Sequence, residues 1–217
     1  GGWSQVGGTG ALGEYSLNKT FSLNNSGFGN QASVPNTQFN PNLKAETVTG
    51  IEFGLDLKMF KNRLRFSATY YDQKSEDLLV PIGVSAASGF TSVWDNIADM
   101  QNTGIELQLG GTIIKKDDFT FDLDVNFAKN DNEVTSLGDL DSYDLGGQWG
   151  ISLQAIPGQP YGSLVGRDFE RTTDGQVIYE NGLPLIDETQ QIIGNIAPDW
   201  TGGANFAFRY KAFSLST

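Results

Sequence analysis

Side chains that could carry out chemistry are few in this sequence, and most of them are carboxylates. The 217 residues contain 26 Asp and Glu against 14 Lys and Arg, with no histidine and no cysteine. Serine–histidine and cysteine–histidine catalysis, histidine-based zinc sites and thiolate metal sites cannot be built from such a set. We therefore expect no catalytic residue and no cofactor in this chain.

Three carboxylates stand together in one polar segment, at Asp139, Asp141 and Asp144. Carboxylate oxygens suit calcium, but the spacing lacks the central glycine and the bidentate glutamate of an EF-hand loop. A solvated acidic loop is the simpler interpretation, so we predict no metal site. Asp122 and Asp124 alternate with apolar residues, and we interpret them as lining a hydrated interior rather than as a general acid and base.

Aromatic side chains in polar segments are the other candidates, because flat apolar rings suit the C–H faces of sugars. The ligand-binding candidates are Phe90, Trp94, Tyr143, Trp149 and Tyr161. Each has a structural alternative, since aromatic residues also anchor long loops and are enriched at the lipid–water boundaries of membrane barrels.

The elements that would hold these residues are β-strands with one apolar and one polar face. Five stretches alternate apolar and polar residues with a period of two, at 47–60, 63–71, 105–113, 119–128 and 200–210. Successive side chains of a strand point to opposite sides of a sheet, so each stretch predicts an amphipathic strand. A soluble sandwich would show the same alternation, so the pattern leaves the environment open.

Connections of two kinds alternate between these strands. Short turns are predicted at 61–62, 115–118 and 211–212, and long loops at 8–45, 75–100 and 130–199. Loops longer than about 15 residues are uncommon in compact domains and are usually functional. Tight turns at one end and long loops at the other are typical of an outer-membrane barrel, whose turns face the periplasm and whose loops face outside.

On this hypothesis the apolar face of each strand contacts lipid and the polar face lines a hydrated lumen. The predicted lipid-facing residues are Ile51, Phe53, Leu55, Leu57, Leu64, Phe66, Ala68, Tyr70, Phe119, Phe121 and Leu123. The predicted lumen-facing residues are Glu52, Asp56, Lys58, Arg65, Glu106, Gln108, Asp122, Asp124, Asn126 and Arg209. The formal net charge of −12 argues against a nucleic-acid partner, because the scattered basic residues form no patch for phosphates.

Both ends of the chain resemble interrupted strands, at 2–6 and 213–217. A sheet cut at both sides would expose unpaired edges, which natural proteins avoid. We therefore expect the chain to be part of a longer protein, with about five complete strands and two partial ones.

Several motifs resemble those of one family. The segment Asn-Pro-Asn-Leu-Lys-Ala-Glu-Thr at 40–47 and the strand Asn-Thr-Gly-Ile-Glu-Leu at 102–107 resemble recurring segments of TonB-dependent outer-membrane receptors. More specific are Gly-Gln-Pro-Tyr-Gly-Ser at 158–163, Gly-Arg-Asp-Phe at 166–169 and Asp-Trp-Thr-Gly-Gly at 199–203. In this order they resemble the SusC/RagA branch, the TonB-linked transporters of Bacteroidetes-type bacteria.

The resemblance implies an all-β fold, an antiparallel transmembrane β-barrel of about 22 strands that is filled by a plug and carries long extracellular loops. Residues 1–217 would form part of the later half of that barrel, without the plug, the TonB-contacting segment or the final strands. The resemblance also implies TonB-energised import of a glycan, an oligosaccharide or a peptide through the bacterial outer membrane, with a SusD-like surface lipoprotein as partner. Arg167 and Asp168 are expected to pair with each other and to contact that lipoprotein or the plug, with a purely structural corner as the alternative.

Two alternative functions stay open at this point. A siderophore or cobalamin receptor would share the barrel and the dependence on TonB. A soluble β-rich adhesin or binding module would share only the alternation of apolar and polar residues. Detergent separates the adhesin from the receptors, because a lipid-facing stripe makes an intact protein insoluble without it.

Overall fold

Strands make up nearly all of the regular structure of this chain. The computed structural model describes residues 1–10, 12–13, 20–27 and 29–217, and within them one 3-10 helix, Ala86–Ser88, accompanies sixteen strands. No helix in these described ranges is long and apolar enough to cross a bilayer. The strands are β1 (Gly2–Gly8), β2 (Ser22–Ser26), β3 (Gly29–Ser33), β4 (Thr37–Gln38), β5 (Glu46–Met59), β6 (Leu64–Gly83), β7 (Ser92–Lys115), β8 (Phe119–Leu137), β9 (Tyr143–Gln148), β10 (Ile151–Ala155), β11 (Ser163–Gly166), β12 (Tyr179–Glu180), β13 (Leu183–Pro184), β14 (Gln191–Asn195), β15 (Thr201–Tyr210) and β16 (Phe213–Ser216).

Eight of these strands form one sheet. Seven follow the order β1-β5-β6-β7-β8-β15-β16, and β4 lies beside the beginning of β7. Neighbouring strands are antiparallel, except that β4 pairs with β7 in parallel. The five predicted strands are confirmed as β5, β6, β7, β8 and β15, and the stretches at the two chain ends are β1 and β16. Strands that follow each other along the chain lie side by side, as tight hairpin turns require.

The tight turns lie where the sequence predicts them, after β5, β7 and β15. In the first turn the backbone adopts the left-handed conformation, since Phe60, Lys61 and Asn62 have positive φ, at 54°, 57° and 66°. In the third turn Lys211 has a φ of 51°. Positive φ at turn residues matches the right-handed twist of the strands that the turn joins.

The register places apolar residues of neighbouring strands on one side of the sheet. Leu57, Phe66, Leu109 and Val125 lie opposite one another across four strands. These side chains have no core to enter, and Phe53 on the same side is 61% exposed. An apolar face that stays open in the described part of the chain fits contact with lipid and does not fit a soluble sandwich, whose apolar face would be buried.

The predicted second loop, 75–100, is mostly strand, which corrects the prediction from the sequence. β6 continues to Gly83 and β7 already begins at Ser92, so only a short connection joins them. The register shifts between Ser75 and Leu78. A bulge of this kind displaces the alternation by one residue, which hides a continuing strand from a search for period two.

The predicted third loop, 130–199, also begins with strand, because β8 extends to Leu137. Here the register shifts between Asp99 and Met100, so Thr135 has no partner on β7. The remainder of the loop folds into a second sheet of four strands, in the order β14-β11-β10-β9, and a separate pair of short strands, β12 and β13. Short strands interrupted by glycine and proline carry no clear alternation, so this second sheet was not predicted.

Candidate functional site

The four-stranded loop sheet packs on the lumen side of the barrel wall. Met100 lies four residues from Gly104 on β7, so both point to the polar side of the main sheet. Val134 pairs with Met100 and is only 1% exposed. Ala155 and Tyr143 of the loop sheet pack around it in a small apolar core. Burial of this core therefore fixes the third loop over the lumen side at the loop end of the strands.

The Gly-Gln-Pro-Tyr-Gly corner is bound to β8 by its backbone. The Val134 amide donates to the Gln159 carbonyl at 2.9 Å, and the Gly158 amide donates to the Val134 carbonyl at 2.8 Å. The Tyr161 amide donates to Asn132 Oδ1 at 2.8 Å. These bonds occupy the edge of β8 beyond the point where its pairing with β15 ends. The corner thus has a structural role, because it covers a strand edge that would otherwise be unpaired.

The segment that leads into β5 is held on the β6–β7 hairpin by asparagine side chains. Asn96 Oδ1 accepts a hydrogen bond from the Lys44 amide at 2.8 Å, and its Nδ2 donates to the carbonyls of Lys44 and Asp77. Asn40 Nδ2 donates to the Trp94 carbonyl at 2.9 Å. Asn40 of the Asn-Pro-Asn motif and Asn96 of β7 therefore join the first loop to the second. Sequence reasoning missed this role because the partners of both side chains are backbone groups.

Two of the five aromatic candidates belong to the tip of the β6–β7 hairpin, and a third, Tyr143 of β9, contacts it. Trp94 pairs with Pro81 across the hairpin, and the Tyr143 hydroxyl donates to the Pro81 carbonyl at 2.9 Å. Phe90 lies in the connection between the two strands, and all three rings are half-buried. Tyr143 therefore anchors the third loop to this hairpin while part of its ring stays open to solvent.

The other two aromatic candidates lie elsewhere on the loops. Trp149 sits in the turn between β9 and β10 with a φ of 60°, and 91% of it is exposed. Tyr161 lies in the corner that covers β8 and is 41% exposed. The five candidates are thus spread over the hairpin tip, the loop-sheet tip and the corner.

Arg167 and Asp168 do not pair with each other, contrary to expectation. Arg167 Nη1 lies 3.1 Å from Glu188 Oε2, and Asp168 Oδ2 lies 3.5 Å from Arg171 Nε. Adjacent side chains of an extended segment point to opposite sides, so each finds a partner on its own side. The Phe169 amide donates to Asp168 Oδ1 at 2.7 Å and, together with Arg171, holds the pKa of Asp168 below its ordinary value.

The carboxylates of the acidic segment point into solvent. Asp139, Asp141 and Asp144 are all exposed. Asp144 Oδ1 accepts a hydrogen bond from the Gly146 amide at 2.7 Å, an Asx-type contact that shapes the local chain. Among the described residues, no three side chains of the ligand-forming types converge to hold a metal ion.

The lumen face carries a salt bridge that spans a whole strand. Arg65 of β6 and Asp124 of β8 flank Gly110 of β7, and Arg65 Nη2 lies 2.8 Å from Asp124 Oδ1. A Cβ on Gly110 would collide with that carboxylate, so the salt bridge can cross β7 only over a glycine. Thr112 Oγ1 donates to Asp122 Oδ1 at 2.6 Å on the same face. The two aspartates predicted to line the interior are therefore held by partners on other strands, Asp122 by Thr112 of the adjacent β7 and Asp124 by Arg65 of β6.

A sheet with one open apolar face, one polar face, tight turns at one end and folded loops at the other defines part of a transmembrane β-barrel. The barrel is not closed within this chain, because β1 and β16 remain the edges of the sheet. The family profile "TonB dependent receptor-like, beta-barrel" matches residues 1–215. The chain belongs to this family, whose members are outer-membrane proteins.

Relatives of the chain place it in the SusC/RagA branch, which confirms the resemblance. It is 31% identical over 202 residues to TonB-dependent receptor P3 of Formosa agariphila, which covers 82% of this chain and 20% of that protein. It is 34% identical over 107 residues to TonB-dependent receptor SusC of Bacteroides thetaiotaomicron, covering 49% of this chain and 11% of that protein. These relatives are receptors and not enzymes, in agreement with the expectation that the chain is not an enzyme.

Among solved structures, the RagAB peptide transporter matches with a TM-score of 0.79 and 26% identity. The match covers 99% of this chain and 25% of that chain. The matched part of the chain therefore spans about a fifth of TonB-dependent receptor P3 and a quarter of the RagAB chain.

Proposed function

We propose that this chain is part of the barrel of a TonB-dependent importer that takes a peptide or a glycan through the outer membrane together with a SusD-like surface lipoprotein. The observation that carries the proposal is the match of 99% of the chain to a chain of the RagAB peptide transporter, at a TM-score of 0.79. The similarity to SusC supports the same branch. A glycan stays in the proposal as the other substrate class because the resemblance of the sequence motifs to the SusC/RagA branch implies it.

Within this proposal the tight turns face the periplasm and the folded loops face outside, as in other outer-membrane barrels. The polar face of the main sheet meets the plug and hydrated lumen, and TonB acts through a region outside this chain. The rings proposed to contact the ligand are Phe90, Trp94, Tyr143, Trp149 and Tyr161, since each keeps an open part of its surface. Arg167 and Asp168, on the exposed part of the third loop, are proposed to contact the lipoprotein or the plug.

Purification of the full-length protein from its native outer membrane in mild detergent tests the proposal, with mass spectrometry of everything that co-elutes. A stoichiometric lipoprotein with bound peptide or oligosaccharide is the expected result. A lone barrel that carries a siderophore or cobalamin would replace the proposal with the alternative receptor. Recovery of the protein from the soluble fraction without detergent would instead support the adhesin.

A further inference from the structure

The fold gathers at one end of the main sheet basic residues that lie far apart in the sequence. The three segments at the tight turns, 58–65, 115–118 and 209–213, hold eight of the 14 basic residues of the chain and only two of its 26 acidic residues. The rest of the chain therefore carries a large excess of negative charge. Sequence reasoning treated the basic residues as scattered, because the turns become neighbours only when the strands pair.

The three turns lie side by side along this end of the sheet. Adjacent hairpins are two strand spacings apart, about 10 Å. The Thr112 amide donates to the Arg63 carbonyl at 2.9 Å, which joins the first turn to the end of β7. The Lys211 amide donates to the Asp118 carbonyl at 2.9 Å, which joins the third turn to the second. Charges at this separation act partly together, because the Debye length is about 8 Å at physiological ionic strength.

Two of the turns begin with a lysine in a conformation that lysine rarely adopts. Lys61 and Lys211 have φ of 57° and 51°. Hairpin positions with positive φ favour glycine, asparagine or aspartate, because most side chains with a Cβ are strained there. The sequence thus twice places a long basic side chain where the backbone favours a shorter residue, and strain of this kind often marks a functional position.

Lysines of the second and third turns lie on the lipid-facing side. Lys116 exchanges two backbone hydrogen bonds with Phe119, at 2.8 and 3.3 Å, so its side chain shares the side of that ring. Lys211 Nζ lies 5.4 Å from the centroid of the Tyr210 ring, which pairs with Phe119 across the sheet. Within the described part of the chain, Lys211 alone of Lys61, Lys116 and Lys211 has a carboxylate oxygen within 4 Å, Asp118 Oδ2 at 3.9 Å.

We propose that Lys61, Lys116 and Lys211, which we call the basic rim, bind the phosphate groups of anionic phospholipids such as phosphatidylglycerol. The inference rests on the proposed function, which places the tight turns at the periplasmic leaflet of the outer membrane. The lipid-facing side ends at the same level with Tyr210 and Phe213, which are 54% and 79% exposed. Side chains just beyond a lipid-facing band reach the head groups, and each basic side chain near an anionic surface adds to the attraction.

The position of the rim separates lipid from the other candidate partners. A plug would fill the lumen, on the side of the sheet opposite to Lys116 and Lys211. The basic residues on the lumen side, Lys58, Arg65 and Arg209, are therefore not part of the rim. An acidic periplasmic protein would suit the lysines but would leave the neighbouring apolar face of the sheet uncovered. A bilayer covers that face and meets the lysines at once, with Lys211 held over an aromatic ring at the boundary.

The test measures which lipid lies beside the rim in the full-length protein, reconstituted in phosphatidylcholine vesicles. A fluorophore on Phe213→Cys marks the lipid-facing side next to Lys211, once cysteines elsewhere in the protein are replaced. Brominated lipids quench a fluorophore that they contact, so quenching by brominated phosphatidylglycerol relative to brominated phosphatidylcholine gives the local preference. We expect a preference of at least about fivefold for phosphatidylglycerol, the factor that one basic side chain near an anionic surface supplies.

Neutralising the rim should reduce this preference to less than about twofold. The combined substitutions are Lys61→Asn, Lys116→Gln and Lys211→Asn. Asparagine suits positive φ, so the variant should fold with equal or higher thermal stability. The matched control replaces three exposed lysines at the loop end with glutamine, namely Lys44, Lys74 and Lys129. It removes the same charge and should leave the preference beside the rim within about twofold of its original value.

Three results would overturn the inference while the proposed function stands. The first is an unsubstituted protein that both lipids quench equally. The second is a rim variant that keeps the fivefold preference, and the third is an equal loss in the control, which would assign the preference to the charge of the whole protein. If neither brominated lipid quenches the label, position 213 does not contact lipid, and the membrane barrel and the proposed function fail together with the rim.

Discussion

Glycines on the lumen face decide where one side chain can cross a neighbouring strand. Tyr71 of β6 lies over Gly104 of β7 and donates its hydroxyl to Asn130 of β8 at 3.1 Å. A Cβ on Gly104 would collide with the Tyr71 ring. The arrangement repeats the crossing described above over Gly110, six residues further along the same face. Each crossing ties three strands together in one register, which matters because a slip of one residue would turn apolar side chains toward the lumen.

Gly104→Ala should therefore destabilise the barrel by about 1–3 kcal/mol, because the methyl group displaces the Tyr71 ring and its hydrogen bond. Gly54→Ala is the matched control, since Gly54 lies on the lumen face of β5 and a Cβ added there would meet no atom within 4 Å. Urea unfolding of the full-length protein in detergent measures both. Equal unfolding midpoints for the two variants would show that Tyr71 does not depend on this glycine.

Asp168 gives the third loop a pH dependence whose sign follows from its lowered pKa. The Phe169 amide first, and then Arg171, stabilise its carboxylate. Such a group contributes stability above its unfolded pKa, about 3.9, and loses it as pH falls through the folded pKa. Amide exchange around 168–171, corrected for its intrinsic rate, should therefore stay slow at pH 7 and 5 and become faster below about pH 4. Asp168→Asn should weaken this pH dependence. If protection at low pH were unchanged in the unsubstituted protein and in the variant alike, the prediction would be contradicted.

Alternation of apolar and polar residues predicts a strand only where the two faces of the strand meet different environments. Where one face contacts lipid and the other the lumen, the residue types alternate with a period of two. The ends of β5 and β15 were therefore predicted to within a few residues. Outside the lipid-facing part of the sheet both faces of a strand meet water or other loops. The parts of β6, β7 and β8 that continue into the predicted loops therefore show no such period. The loop sheet depends on backbone bonds such as those between Val134 and Gln159. Bonds of that kind leave no signature in the types of the side chains, so the sequence could not reveal them.

Asn96 connects three elements, and its loss should loosen the segment that leads into β5. Its amide group satisfies the Lys44 amide and the carbonyls of Lys44 and Asp77. In Asn96→Ala these backbone groups lose their partners, so hydrogen exchange over 37–46 should become at least about tenfold faster. Asn205→Ala on β15 is the control and should leave that segment unchanged. Equal protection of 37–46 in both variants would mean that β4 and Asn40 hold the segment without Asn96.

At the scale of the whole molecule, the sequence predicted the residue types of the candidate site but not their positions relative to one another. Composition identified aromatic loop residues, but it could not show that Trp94 and Tyr143 meet at one hairpin tip while Trp149 projects alone. Those positions depend on how the third loop folds back over the wall, through contacts between residues far apart in sequence. The expected ion pair of Arg167 and Asp168 did not form, because Arg167 pairs with Glu188, which is distant in sequence, and Asp168 pairs with Arg171, three residues further on.

The apolar face also sets the position of the whole molecule in a bilayer. From Ile51 to Met59 the strand β5 advances about 26 Å, and a tilt of about 40° reduces this to a band of about 20 Å. That height is close to the apolar band of other outer-membrane barrels, about 25 Å. Leu55 and Asp56 lie near its middle and point to opposite sides.

Spin labels on these two adjacent residues test that placement directly in the full-length protein. The chain itself contains no cysteine, so Leu55→Cys and Asp56→Cys can be labelled once cysteines elsewhere in the protein are replaced. Oxygen partitions into lipid and a nickel chelate stays in water, so the label at 55 should relax with oxygen and the label at 56 with nickel. Gln108 and Leu109 on β7 provide a second pair, with the lipid label at 109, because Leu109 shares the side of Leu57 and Phe66. Nickel access at both members of each pair would place both faces in water, which the membrane barrel does not allow and a soluble adhesin requires.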